Sequence, residues 1–133
     1  MITLITGKKG SGKTKKLIEL VDSALQTTKG HVAVIAQDDT LKYDIKYTAR
    51  LMNTADYKIT GFDAFYGFIA GLAAGNFDIT DIFVDGILRI AGRDYEKLGE
   101  LFDKINALHS DIHFTFTVSA DTLDLPESVK KYI

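Results

Sequence analysis

The chain of 133 residues is 46% hydrophobic and 26% charged with a single proline, which predicts one compact domain over residues 1–133 and excludes a disordered or fibrous protein. Sixteen basic and eighteen acidic side chains leave a net charge of −2, so any contact with nucleic acid or an anionic membrane has to be local. The absence of cysteine excludes disulfides, thiolate metal sites and cysteine nucleophiles, and it favours a reducing compartment such as the cytoplasm.

The opening of the chain alternates between strand and helix patterns. Residues 2–6 form a short run rich in β-branched side chains, and apolar residues recur at helical spacing from about Gly12 onward. The Lys29-Gly30 pair is a typical helix end, and residues 31–36 form an apolar run that is too short for a helix. These patterns predict a first strand–helix–strand unit in which the second strand is buried.

The middle of the chain gives weaker signals. Residues 38–57 are mixed and polar, and only residues 50–53 suggest a short strand. Residues 62–75 are apolar on nearly every face, which predicts a buried helix. Three glycines lie on one side of this helix at four-residue spacing: Gly67, Gly71 and Gly75. Because each glycine costs about 1 kcal/mol of helix propensity relative to alanine, we expect close backbone packing there, within the monomer or at a dimer seam.

The remaining sequence predicts two more strands and two more helices. Residues 79–84 form an apolar strand that ends at an Asp-Gly pair, and residues 95–109 have helical spacing. In the strand predicted over residues 112–119, apolar side chains alternate with histidine, threonine and serine, which is unusual for a central strand of a parallel sheet. One face of that strand is therefore expected to border solvent or a ligand. Pro126 suits the first position of a short closing helix over residues 127–132.

The alternation of strands and helices predicts an α/β fold, specifically a three-layer α/β/α sandwich with a mainly parallel sheet. No apolar run reaches the roughly 18 residues of a membrane-spanning helix. The amino-terminal residues also lack the ordered charged, apolar and cleavage regions of a signal peptide. We therefore expect a cytoplasmic protein with no membrane partner.

A glycine-rich motif lies between the first predicted strand and helix. Eight consecutive residues match the pattern G-x-x-x-x-G-K-S/T: Gly7, Lys8, Lys9, Gly10, Ser11, Gly12, Lys13 and Thr14. In this context the pattern is typical of a loop whose backbone N–H groups, helix N-terminus and glycines together hold a triphosphate. We expect Lys13, as an exposed loop lysine, to reach the β and γ phosphates, and the hydroxyl of Thr14 to coordinate Mg²⁺.

Further lysines surround this loop. Lys15 joins the eight motif residues as an expected nucleotide-binding residue, while the same charge also suits a solvated helix start. A dinucleotide fingerprint would need a third glycine where Lys15 stands, so NAD is disfavoured. Aromatic residues do not alternate with these lysines, so no nucleic-acid groove, and no nucleic-acid partner, is evident from the sequence.

An acidic residue for the second half of such a site follows the strand at residues 79–84. Asp85 comes directly after its apolar run, where it can hold Mg²⁺ directly or through water. The alternative is a turn aspartate before Gly86, with Asp78 and Asp81 as nearby substitutes. We expect Asp85 and Thr14 to be the metal ligands.

Hydrolysis needs a group that orients water and a positive charge near the transferred phosphoryl group. Gly86 occupies the position after the acid where many ATPases of this type have glutamate, so turnover is expected to be slow or absent. Asp38 and Asp39 follow the second strand and would face Asp85 if the two strands are neighbours; otherwise they are solvated turn residues. Ser119 is a candidate sensor of the γ phosphate. Arg89 and Arg93 are candidates for the charge-stabilising arginine, with an ordinary surface ion pair as the alternative.

The motif at residues 7–14 together with Asp85 resembles the P-loop NTPase superfamily, and the late position of the acid strand is similar to its RecA-like and AAA-like branch. The resemblance implies a P-loop fold with a truncated RecA-like core, in which a strand lies between the two motif strands in the order 5-1-4-3-2. It also implies ATP or GTP with Mg²⁺ as the ligand, and Lys13 and Asp85 as the catalytic residues.

Most of the chain also resembles a group of short bacterial ATP-binding proteins that are sometimes labelled after the twitching-motility retraction ATPase. The resemblance rests on residues 5–17, 63–69 and 125–127. A true retraction motor is a much longer, two-domain hexamer with acidic and histidine motifs that this sequence lacks. The resemblance therefore implies ATP binding rather than motor activity.

Three functions fit these observations. The first is an ATP-binding switch or assembly component with Mg²⁺-dependent, weak or partner-stimulated hydrolysis. The second is a small-molecule kinase, although kinases usually have an arginine-rich lid and this chain has only three arginines. The third is a non-enzymatic module whose bound nucleotide stabilises an interaction surface. A second copy of the chain or a protein partner stays open in all three.

Overall fold

Five parallel strands form one sheet in the computed structural model, which describes residues 1–108 and 111–133. The strands are β1 (Ile2–Gly7), β2 (His31–Ala36), β3 (Arg50–Asn53), β4 (Ile79–Val84) and β5 (His113–Ser119). Their spatial order is β1-β5-β4-β2-β3, and every neighbouring pair is parallel. The predicted α/β class with a parallel sheet is confirmed.

Helices flank this sheet. They are α1 (Lys13–Thr27), α2 (Phe62–Gly75), α3 (Ile87–Ile90), α4 (Tyr95–Asn106) and α5 (Glu127–Lys130). The side chains of β2 alternate between two hydrophobic clusters, so that Val34 packs with α1 while Ile35 packs with α2 to α5. Both side chains are fully buried, as expected for a central strand of a parallel sheet. Apolar contacts on both faces therefore hold the sheet in place.

Most predicted elements occur where the sequence indicates them, including the short strand β3. Helix α4 ends at Asn106, earlier than predicted, and the predicted end at residue 109 lies outside the described residues. Pro126 is not the first helical residue of α5, because its backbone is extended and its carbonyl accepts N–H bonds from the first turn. Three short elements were not predicted: helix α3 and 3₁₀ turns at Thr54–Tyr57 and Thr122–Asp124.

Helix α2 is a surface helix, which contradicts the predicted burial on nearly every face. Only Phe65 and Ile69 are buried. Its three glycines, Gly67, Gly71 and Gly75, are exposed, and a Cβ atom built at any of them meets no other atom within 4 Å. The expected close packing of these glycines within the monomer is therefore wrong, because no neighbouring element covers that side of the helix.

Among the residues that the structure describes, no helix has the length and apolar character that crossing a lipid bilayer requires.

The open surroundings of Gly71 lead to a stability prediction. Gly71→Ala should raise the free energy of unfolding by about 1 kcal/mol, since alanine removes the helix-propensity cost of glycine without a steric conflict. Urea denaturation monitored by circular dichroism measures the change.

Gly30→Ala is the matched control, because a Cβ there would collide with the carbonyl oxygen of Asp78 and the methyl group of Thr80. It should destabilise the protein by about 1–3 kcal/mol. A loss of stability in Gly71→Ala would instead show that this side of α2 is packed.

Candidate functional site

The carboxyl ends of β1, β5 and β4 meet at one edge of the sheet. Gly7 pairs with Ser119, and Val84 pairs with Phe116, so the residues after each strand lie side by side. A cavity of about 580 Å³ opens at this edge. The loop and first turn of α1 contribute Lys9, Gly10, Gly12, Lys13, Thr14 and Lys15 to its lining. The other lining residues are Asp85, Gly86, Arg89, Arg93, Thr117 and Ser119.

The loop between β1 and α1 depends on glycine at two positions. Gly12 has a φ of 87° in the left-handed region and immediately precedes α1, where its carbonyl accepts the N–H of Lys16. Gly7 has a φ of 148°, and a Cβ there would lie 2.5 Å from the Ser11 hydroxyl oxygen. No side chain caps α1, so the first-turn N–H groups have no intrahelical acceptor and remain free to bind an anion.

Lys13 is buried at the base of this loop, with 8% of its surface exposed. Its Nζ donates to the carbonyl of Lys8 at 2.9 Å and lies 3.5 Å from the Ser11 hydroxyl. Burial lowers the pKa of Lys13, while the carboxylate of Asp85 acts in the opposite direction. The expectation of an exposed loop lysine is wrong, because Lys13 is the first residue of α1 and its side chain extends back to the loop.

Asp85 is the centre of a polar network and is only 4% exposed. The hydroxyl of Thr14 lies 3.2 and 3.3 Å from the two carboxylate oxygens, and the hydroxyl of Thr117 donates to Oδ1 at 2.8 Å. The Thr117 oxygen also accepts the N–H of Gly86 at 2.7 Å. A buried carboxylate needs such partners, and Asp85 obtains them from α1 and β5.

Arg89 joins Asp85 to the end of β2. Its guanidinium lies 3.7 Å from Asp85 and 3.8 Å from Asp38, and its carbonyl accepts a bond from Gln37. The hydroxyl and N–H of Thr40 lower the pKa of Asp38, with a smaller contribution from Arg89. Because β2 and β4 are neighbours, Asp38 does lie across from Asp85 at the rim of the site.

The remaining predicted residues divide into two groups. Ser119 and Arg93 line the cavity, whereas Asp39 accepts a bond from Asn53 at 2.9 Å outside the lining. Among the predicted loop residues, Gly7, Lys8 and Ser11 do not line the cavity. The Lys8 carbonyl and Ser11 hydroxyl instead face the Lys13 ammonium, and the Lys8 side chain pairs with Asp121 at 3.7 Å.

Sequence reasoning did not select Thr117, which contacts Asp85 in this candidate site. Thr117 belongs to the polar side chains that alternate along β5, the pattern that predicted a face bordering solvent or a ligand. The expected border with solvent is wrong for the middle of the strand, because Thr115 and Thr117 are buried. The strand order explains why Thr117 contacts Asp85, because β5 lies between β1 and β4 and the polar side of β5 reaches Asp85.

No protein-family model matches the chain, and a search of curated proteins gives no match. Functional inference therefore depends on the geometry of this cavity.

The double contact of Thr117 predicts a specific loss of stability. Thr117→Val keeps the side-chain shape but removes a donor to Asp85 and an acceptor for Gly86, so unfolding free energy should fall by about 1–3 kcal/mol. Chemical denaturation of the purified variant measures the change.

Thr54→Val is the matched control for this experiment. Thr54 is as deeply buried as Thr117, but its hydroxyl oxygen has no hydrogen-bond partner among the described residues. The control should therefore be neutral or stabilising. Equal losses in the two variants would contradict the assigned role of Thr117.

Proposed function

We propose that the chain is a P-loop protein that binds a nucleoside triphosphate together with Mg²⁺ at the 580 Å³ cavity. One observation carries the proposal: the Thr14 hydroxyl contacts both carboxylate oxygens of Asp85, although the two residues are 71 positions apart. The glycine-rich motif and the acid after β4 are far apart in the sequence, which does not show whether they meet in the fold. Their contact is what a shared nucleotide site requires.

The strand order supports the RecA-like branch of this superfamily. One strand, β5, lies between β1 with the loop and β4 with the acid. Continuing from β1, the order β5-β4-β2 corresponds to positions 4-3-2 of the branch, and β3 extends the sheet beyond them. Position 5, on the other side of β1, has no counterpart among the described strands, which agrees with a truncated core.

The charges in the cavity favour a polyphosphate. Five lining residues are cationic, namely Lys9, Lys13, Lys15, Arg89 and Arg93, whereas Asp85 is the single lining carboxylate. The uncapped N-terminus of α1 adds further positive potential. A cavity of about 580 Å³ is also within the usual range for small-molecule sites. We propose ATP as the ligand, with GTP as the alternative.

The oxygen ligands fit Mg²⁺. Neighbouring ligands in an octahedron with bonds of 2.0–2.1 Å are about 3 Å apart, close to the 3.2 Å between Thr14 Oγ1 and Asp85 Oδ1. Among the described residues no three His, Cys, Asp or Glu side chains group into a metal site. Mg²⁺ would thus depend on the phosphates and water for its other ligands, and it would neutralise phosphate charge when bound.

Weak or partner-stimulated hydrolysis remains our proposal for the activity. Gly86 has no side chain to orient water, and its backbone N–H already donates to Thr117. Asp38 at the rim and Ser119 in the lining are the polar groups available instead. ATP-dependent ADP formation that requires an acceptor would favour a small-molecule kinase, and tight binding without turnover would favour a non-enzymatic interaction module.

Lys13→Ala tests the nucleotide site directly. The variant should bind ATP about 100-fold more weakly, near the upper end of the loss expected when a bond between a charged donor and phosphate is removed. Isothermal titration calorimetry with ATP, ADP and GTP provides the affinities, and circular dichroism confirms folding. Lys16→Ala changes an exposed lysine outside the cavity lining and should bind normally. Unchanged affinity in Lys13→Ala would remove Lys13 from the site.

Asp85→Asn tests the metal role. This nearly isosteric change removes the carboxylate charge, so the Mg²⁺ concentration required for half-maximal ATP binding should rise at least about tenfold. The control Asp81→Asn changes an acid on β4, the strand that precedes Asp85, outside the cavity lining, and its Mg²⁺ titration should match the parent protein. An unaltered titration in Asp85→Asn would contradict metal binding by Asp85.

A further inference from the structure

A second surface lies away from the phosphate loop, on the segment between β2 and β3. Leu41, Ile45 and Ala49 of this segment are buried and pack in the same hydrophobic cluster as Leu17 and Val21 of α1. Turn-type hydrogen bonds, such as those from the N–H groups of residues 44 and 45 to residue 41, also shape the backbone. The residues between the anchors are therefore presented to solvent by an anchored segment.

Two tyrosines between these anchors are almost completely exposed. Tyr43 is 92% exposed and Tyr47 is 96% exposed. Neither tyrosine is needed for core packing, since Leu41, Ile45 and Ala49 already anchor the segment. Each ring thus offers an aromatic face with which a planar partner can stack.

Positive charge accompanies the two rings. Within residues 42–50, Lys42, Lys46 and Arg50 are exposed and Asp44 is the acidic side chain, so these nine residues have a net charge of +2, while Asp38 and Asp39 lie at the start of the β2–β3 segment. The ammonium of Lys46 lies 3.9 Å from Asp22 in a solvent-exposed pair, a weak contact that a phosphate group can replace. This is a local basic patch with interleaved aromatic rings.

The end of the segment reaches a separate cavity of about 440 Å³. Thr48 and Arg50 line it together with His31 and Asn76, which provide polar groups, while Met52 and Leu72 provide apolar surface. The cavity borders the amino ends of β2 and β4, at the opposite end of the sheet from the phosphate loop. Its mixture of groups suits a flat heterocycle with polar edges.

We propose that residues 42–50 and the adjoining cavity bind a single-stranded nucleic acid. Tyrosine rings stack on exposed bases, cationic side chains contact phosphates, and the cavity accepts one unstacked base. A base inside a duplex does not offer a free face to such rings. Tyrosine and arginine are also enriched at protein interfaces, so Lys42 and Lys46 are the residues that favour a phosphate-bearing ligand, because lysine is depleted at protein interfaces.

Fluorescence anisotropy with labelled oligo-dT and oligo-rU of about 15 nucleotides tests the proposal, with a duplex of equal length for comparison. Oligo-dT and oligo-rU both have the exposed bases and phosphates that this surface would bind. The oligonucleotide that binds more tightly identifies DNA or RNA as the ligand class. Binding should exceed that of the duplex, and log affinity should fall against log salt with a slope of about −2 for three phosphate contacts.

Tyr43→Ala and Tyr47→Ala should each weaken binding by about tenfold, and Tyr→Phe at either position should preserve it because the ring remains. Tyr57→Ala is the matched control, since Tyr57 is 61% exposed but lies outside the segment. Lys13→Ala should bind the oligonucleotides normally, which separates this result from the nucleotide site.

Three results would overturn the proposal. They are no oligonucleotide binding at about 50 mM salt, equal binding by the alanine variants and the parent protein, or equal affinity for single strands and duplex. Sedimentation velocity adds a further outcome. A parent dimer that the tyrosine-to-alanine changes dissociate would assign the surface to a second copy of the chain instead.

Discussion

The burial of one negative charge constrains the arrangement of this molecule's functional edge. Removing a carboxylate from water is costly unless hydrogen bonds and opposite charges compensate. Asp85 obtains these partners from three separate elements: Thr14 on α1, Thr117 on β5 and Arg89 on α3. The contacts that compensate the charge of Asp85 therefore bring the glycine-rich loop, strand β5 and helix α3 together around one cavity.

The parallel sheet separates two surfaces that have different chemistry. Its carboxyl ends carry the cationic cavity proposed for a nucleotide, while the amino ends of β2 and β4 border the cavity beside Arg50. A hydrophobic cluster connects α1 to the segment between β2 and β3, because Leu17 and Val21 of α1 pack with Leu41 and Ile45 of that segment. Helix α1 thus begins at the phosphate loop and also helps to anchor the exposed tyrosines.

The errors of prediction have a common physical cause. Helix α2 was expected to be buried because its residues are apolar or small, yet glycine contributes no side chain that shows whether a face is covered. Lys13 was expected to be exposed because lysine usually is, yet the loop carbonyl of Lys8 gives its ammonium a partner away from bulk water. In both cases the tertiary surroundings decide burial: no described residue covers the glycine side of α2, whereas a loop carbonyl meets the Lys13 ammonium.

The sequence by itself determined the α/β class, most strand positions, the loop motif and the acid at the end of β4, because these depend on local periodicity and spacing. Tertiary structure decided which strands are neighbours, and therefore that Thr117 and Arg89 reach Asp85. It also decided that Tyr43 and Tyr47 face solvent, since their exposure depends on the anchoring of Leu41, Ile45 and Ala49. Such contacts join residues distant in the chain, and their energies come from burial and pairing that only the folded sheet creates.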